Sequence, residues 1–286
     1  MTEQIRILLQ TTIPPTVQDW SIARFSMLRE ILATVRGPSG QPLYAVTARD
    51  RDQLGAPDSV LSRLDHSNYD QLWLFAVDTG DGLTEDDCAG ISRFRKAGGG
   101  LLVTRDHMDL GSSVCGLGGV GAAHFFHSHH LDPDPVRHQI DDPYTTYISW
   151  PNYHSGANGD FREIEVEGEG HPVLKGVRFL PSHPHEGGVG APPGDPSARV
   201  IAIGYSKVTG RPFNIAVAFE PSEAGGPAIA QSTFHHFADY NLDPASGCPG
   251  FVTESPGGAL PKTPEARWSV ERYFGNLAAW LRRRAG

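Results

Sequence analysis

Four short apolar runs, "IRILLQTT" (5–12), "PLYAVTA" (42–48), "DQLWLFAV" (70–77) and "LLVT" (101–104), constrain this chain more than any other feature. Each is short and rich in leucine or β-branched residues, and the third is apolar without alternation, as a strand covered on both faces would be. Segments of helical period lie between them. Ile22, Phe25, Leu28 and Leu32 recur at spacings of three and four, which puts them on one face of a helix. Thr84 followed by Asp87 resembles a capping box with Asp in place of Glu or Gln. The helix it opens, about 85–96, runs into Gly98-Gly99-Gly100, where glycine accepts a left-handed cap. This alternation of strand and helix predicts an α/β fold with a parallel, doubly wound sheet.

From about 111 to 190 the periodicity fades into a long stretch rich in His and Gly. A long irregular segment of this kind usually carries function. Order returns with "RVIAIGYS" (199–206), "FNIAVAF" (213–219) and "AIAQSTF" (228–234), the first two forming an expected hairpin around Val208-Thr209-Gly210. A last helix is expected from Pro264, N-capped by Thr263, with Val270, Tyr273, Phe274, Leu277 and Leu281 as its buried stripe. No linker or repeat divides the sequence, so residues 1–286 read as a single domain with an active-site insertion at about 111–190.

Lys and Arg number 24 against 33 Asp and Glu, a net charge of −9, which argues against an extended nucleic-acid surface. The basic run Arg282-Arg283-Arg284 is expected to close the last helix, where the macrodipole favours cations. The sequence has no 18-residue apolar run, and "MTEQIRILLQTT" lacks the plan of a signal peptide, so a cytoplasmic location without a membrane partner is expected. Aromatic residues near the termini leave a homo-oligomer open. "GLGGVG" (116–121) matches a dinucleotide fingerprint by letter, but no strand precedes it directly, so no nucleotide cofactor is expected.

Histidine carries the chemical signal, with 13 residues, most of them between His107 and His236. In open parallel sheets ligands collect beyond the carboxyl ends of strands. Arg105, Asp106, His107 and Asp109 follow the fourth strand there, and His235 and His236 follow the last, with Asp239 close enough in sequence to orient an imidazole. Asp106, His107, His235, His236 and Asp239 are therefore the candidate acid–base groups. Arg105 and Asp109, together with Asn152, His154, Asn158 and Asp160 of the polar loop "WPNYHSGANGD", are candidate substrate contacts. His183 and His185 of "HPHEG" would point to one side of an extended chain. With His107 and His236 they would supply imidazoles to a divalent metal, zinc foremost. The "HFFHSHH" stretch offers His124, His127, His129 and His130 as further imidazoles, while Cys115 has no identified base beside it.

The stretches "GLTEDDCAGISRFRKAGGGLLVTRDH", "GHPVLKGV" (170–177) and "FHHFAD" resemble the ThuA-like family associated with trehalose utilisation, within the class I glutamine amidotransferase-like superfamily. The resemblance implies a flavodoxin-like fold and a role in carbohydrate metabolism, with a sugar as substrate. Amidotransferases of that superfamily carry a nucleophilic Cys on the turn after this strand and a His-x-Glu at the late strand end. Here the first position holds Asp106-His107 and the second holds His235-His236 with Asp239, so thiolate chemistry at that turn is absent.

Three readings follow. The leading one is a small-molecule enzyme, a hydrolase or a lyase or isomerase, acting on a carbohydrate-like or carbonyl-containing substrate through His and Asp groups with a divalent metal. The others are a carbohydrate-binding sensor without catalysis and an amidohydrolase using Cys115.

Overall fold

The computed structural model describes residues 4–138, 141, 145 and 147–282. Its strands and helices are β1 (Ile5–Thr11), α1 (Ser26–Thr34), β2 (Tyr44–Arg49), β3 (Gln71–Phe75), α2 (Glu85–Lys96), β4 (Gly100–Thr104), β5 (His124–Phe125), β6 (Phe161–Glu163), β7 (Glu165–Val166), β8 (Phe179–Pro181), β9 (Gly188–Val189), β10 (Ala198–Tyr205), β11 (Pro212–Phe219), β12 (Ala228–Gln231), α3 (Asp239–Leu242) and α4 (Pro264–Trp280). The main sheet has eight strands in the order β2-β1-β3-β4-β12-β11-β10-β7. The first five are parallel and the last three attach antiparallel. The parallel half follows the flavodoxin-like order, in which the chain winds outward both ways from the first strand.

Burial explains the apolar runs. β3 is buried along its whole length, with Leu72 and Leu74 packing beside Ile91 and Phe94 of α2. Trp73 and Phe75 face the opposite layer, among Leu28 and Leu32 of α1 and Tyr273, Phe274 and Leu277 of α4. The capping box is present: Thr84 Oγ1 accepts from Asp87 N–H (3.3 Å) and Asp87 Oδ2 accepts from Thr84 N–H (3.0 Å). Asp87 Oδ1 also accepts from Asp58 N–H, so the cap ties a loop to the helix. At α4 the expectation fails in part. Pro264 opens the helix, but Thr263 makes no side-chain cap and its hydroxyl donates to Ala259 O. The hairpin is present as β10 and β11. Arg283 and Arg284 of the basic run lie outside the described residues.

The stretch from 111 to 190 holds short pieces. Ser112–Ala123 winds as 3₁₀ helix broken at Gly118 (φ +60°), and two small antiparallel pairs, β5 with β9 and β6 with β8, lie outside the main sheet. Two glycines of "GLGGVG" serve close packing: a Cβ at Gly121 would meet Val114 O at 2.2 Å and one at Gly116 would meet Cys88 Sγ at 2.9 Å. Among the described residues, no helix is long and apolar enough to cross a membrane.

Candidate metal centre

Strand register brings the two halves of the site together. β4 and β12 pair in parallel with Thr104 opposite Gln231, so the residues just beyond them emerge side by side. Phe234 N–H donates to Arg105 O (2.9 Å), and Thr233 Oγ1 donates to Asp106 Oδ1 (3.0 Å). The apolar run 228–234 does not continue as strand: β12 stops at Gln231, and Phe234–His236 form a 3₁₀ turn capped by Thr233 Oγ1, which accepts from His235 N–H. That turn separates the two adjacent histidines.

Asp106 is the centre of the cluster. Its Oδ2 lies 3.0 Å from His107 Nδ1 and 3.6 Å from His235 Nε2, and its Oδ1 lies 3.4 Å from His183 Nε2. Burial alone would raise its pKa, but the surrounding imidazoles, His107 foremost through its charge and hydrogen bond, outweigh burial and hold the carboxyl well below the usual range. One ligand atom from each of Asp106, His107 and His183 falls within 4.8 Å of the others, so this group can bind a metal ion. His107 is the partly exposed member, at 18% of its side chain, and Asp106 and His183 are buried.

The imidazole protons can be located from one backbone atom. Asn241 Nδ2 donates to Ser182 O (2.9 Å), and a carbonyl oxygen can only accept. Asn241 therefore turns its Oδ1 to His235 Nδ1 (2.8 Å), which must donate. The same amide donates to Asn158 Oδ1 (2.7 Å), and that oxygen in turn accepts from His183 Nδ1 (2.8 Å). Both rings carry a proton on Nδ1, and both aim Nε2 at the Asp106 carboxylate. His183 is held neutral, its pKa pushed well below the usual value by burial and then by His235. Its Nε2 is buried without a hydrogen-bond partner. The two rings stack with centroids 3.6 Å apart.

Other candidates have different tasks. His236 is buried in a separate network, between Gln231 (2.6 Å from Nδ1) and Glu186 and Arg162 on the Nε2 side. The β4-end cluster therefore lacks it, contrary to its expected place in the metal shell. Glu186 also accepts from Ser155 and Ser232 hydroxyls. Its pKa falls to about 2, since Arg162 and His236 more than offset its burial. Asp239 does not orient an imidazole either: its carboxylate accepts from Ser26 N–H, Ser26 Oγ and Met27 N–H at the start of α1. Arg105 is no surface anchor. It is fully buried, donates to Met108 O and lies 4.2 Å over the Phe126 ring, and burial lowers its pKa to about 9. Asp109 accepts from Ser128 on a loop.

Asn152 and Asn158, expected to meet substrate hydroxyls, turn inward and hold His185 and His183. His154 meets Asp141 through its backbone N–H, and Asp160 accepts from Gly258 and Ala259. His185 sits edge-on to His107 (5.4 Å) and His183 (5.7 Å), with Nε2 3.2 Å from Glu254 Oε1. His124 is buried with both ring nitrogens unpaired. Cys115 is exposed rather than buried, no base is hydrogen-bonded to it among the described residues, and its thiol pKa is raised, so it gains no activation. The sequence reading missed Thr233, Asn241, Glu186 and Glu254. Asn241 follows the paired histidines closely, and that was its only signal.

No family model matches the chain, and no curated protein matches it in sequence. Among solved structures it is similar to a cytoplasmic protein from Salmonella typhimurium LT2, 12% identical with a TM-score of 0.52, over 97% of this chain and 100% of that one. It is also similar to the glutaminase domain of Trypanosoma brucei CTPS with bound acivicin (15% identical, TM-score 0.47, covering 96% of this chain and 94% of that one). A further similar structure is a GMP synthase-type protein from Thermoplasma acidophilum (10%, TM-score 0.42, 98% and 97%). Likeness at these identities shows the fold alone. The trehalose-utilisation resemblance rests on its motifs.

Proposed function

We propose that this chain is a hydrolytic enzyme for small carbonyl-containing or carbohydrate-like molecules, working with a divalent metal held by Asp106, His107 and His183. The observation that carries the reading is the unpaired Nε2 of His183, fixed as a bare lone pair 3.4 Å from an ionised carboxylate. Two electron-rich atoms facing each other in a buried site repel unless a cation lies between them. Ligands about 2.0–2.1 Å from a tetrahedral zinc stand roughly 3.3–3.4 Å apart, which matches that spacing. Within the stack, His183 and His235 cannot both aim their lone pairs in plane at one ion, so His235 backs the site. The carboxamide behind His183 is the kind of partner that fixes a ligating imidazole's tautomer. Two imidazoles with one carboxylate suit zinc and also iron(II), so both ions belong in the test.

Asp106, His107 and His183 would hold the metal, which when bound would supply polarisation of a carbonyl and a more acidic water. The protein's own part is to hold three ligands and leave the exposed edge of His107 open. The test is metal analysis of protein purified without a histidine tag, then chelation and re-addition of Zn²⁺, Mn²⁺ or Fe²⁺ with thermal unfolding as readout. About one equivalent of bound metal is expected, together with a Tm that falls on chelation and recovers on re-addition. His183→Ala should abolish both. A wild-type protein that retains no metal, with a Tm indifferent to all three ions, would overturn the reading.

A further inference from the structure

Glu254 lies in the aperiodic segment 243–263, between α3 and α4, where no sequence pattern marks it. Its side chain is 31% exposed and its Oε1 lies 3.2 Å from His185 Nε2. Three hydrogen bonds anchor the far side of that segment to the site: Gly257 N–H donates to Asn158 O (2.8 Å), and Asp160 Oδ1 accepts from Gly258 N–H and Ala259 N–H. The residue that orients His183 thus also fixes the loop bearing Glu254.

His185 is oriented as its neighbours are. Asn152 Nδ2 donates to Ile148 O, which leaves Asn152 Oδ1 to accept from His185 Nδ1 (3.2 Å). Its Nε2 lies 3.2 Å from Glu254 Oε1 and donates to that carboxylate when the ring carries its second proton. The His185 ring stands edge-on to both His107 and His183, so Glu254 is one imidazole away from the ligand group. The nearby carboxylates have other partners. Asp106 is buried inside the cluster, Glu186 is enclosed by Arg162, Ser155 and Ser232, and Asp239 caps α1. Among these four, Glu254 alone combines an exposed side chain with a contact to His185, which stands edge-on to His107 and His183.

We propose that Glu254 is the proton-transfer carboxylate of this centre and His185 its positioning residue, an inference that rests on the metal-hydrolase reading above. In the step, an attacking water gives a proton to Glu254 while its oxygen bonds to the substrate carbonyl carbon and the carbonyl π pair moves onto oxygen. As that pair returns, the bond to the leaving group breaks, and the leaving group takes the proton back from Glu254. The sum is acyl–X plus water giving acid plus H–X, with Glu254 regenerated.

The experiment uses p-nitrophenyl acetate as the probe and zinc content as an independent readout, on zinc-loaded wild type, Glu254→Gln, Glu254→Ala and His185→Gln. Glu254→Gln and Glu254→Ala should keep zinc and its effect on Tm while kcat falls about 10²–10⁴-fold, the range for a general acid–base group, with KM little changed. Added formate should restore part of the turnover in Glu254→Ala and none in Glu254→Gln, an effect that a structural role would not produce. His185→Gln should lower kcat less than Glu254→Gln and resist formate. Wild-type turnover in zinc-bound Glu254→Gln, or loss of zinc from it, overturns the assignment while leaving the metal reading intact. A wild type that binds no zinc overturns both.

Discussion

Asn158→Ala removes one acceptor shared by two donors, His183 Nδ1 at 2.8 Å and Asn241 Nδ2 at 2.7 Å. A buried hydrogen bond contributes about 1 kcal/mol net, and leaving a buried donor unsatisfied costs about 1–3 kcal/mol. With the Asn241 donor stranded, and the His183 donor too unless its proton moves, the metal-free protein should lose about 1–6 kcal/mol, a large part of a stability of roughly 5–15 kcal/mol. Metal affinity is the sharper readout. Without the amide oxygen, His183 is free to carry its proton on Nε2 and donate it to Asp106, the tautomer that cannot ligate. Partners behind a ligating imidazole are worth about 10–100-fold in affinity, so the zinc Kd should rise by that factor. Asn158→Asp keeps an acceptor in place and should retain most of the affinity. A competition titration against a chromophoric chelator measures the Kd, and imidazole nitrogen NMR of metal-free wild type reports the tautomer directly. An unchanged Kd in Asn158→Ala, or a proton found on His183 Nε2 in the metal-free wild type, would refute the reasoning.

Two other outcomes follow from buried groups outside the cluster. Asp239→Ala deletes three hydrogen bonds at the start of α1 and should cost about 1–2 kcal/mol, as loss of a helix cap does, with zinc content unchanged; denaturant unfolding and metal analysis check it, and zinc loss would return Asp239 to the site. His124 is held neutral by burial and then by Arg105, its folded pKa lying well below its unfolded one. Above pH about 6.5 both states are neutral, and below it the unfolded chain alone gains the proton, so stability falls with pH by up to about 1.4 kcal/mol per unit for this group. His124→Leu should flatten that slope in urea melts between pH 7 and 5, and an identical slope in both proteins would contradict it.

The fold was legible where local signals agree. β3 is apolar on both faces because helices cover both, and the Thr84–Asp87 box shows in the sequence as it does in the structure. The strand ends bearing Asp106 and His235 could be named because chemistry collects there, yet their meeting depends on the β4–β12 register, which pairs segments over a hundred residues apart. Asp239 misled because nearness in sequence suggested a local partner. The N-cap position of α1 is Phe25, which has no side-chain acceptor, so the helix takes its cap from the far end of the chain. Asn158 and Asn152 read as polar loop residues, since nothing in a sequence says which way an amide turns. Glu254 sits where neither period nor turn chemistry singles it out.

The hydrogen-bond chain that sets the proton on His183 begins at the main-chain oxygen of residue 182. Every residue type has that oxygen, so side-chain exchange at 182 leaves the polarity of the chain standing. Only displacing the peptide itself, or breaking an amide further along, would reverse it.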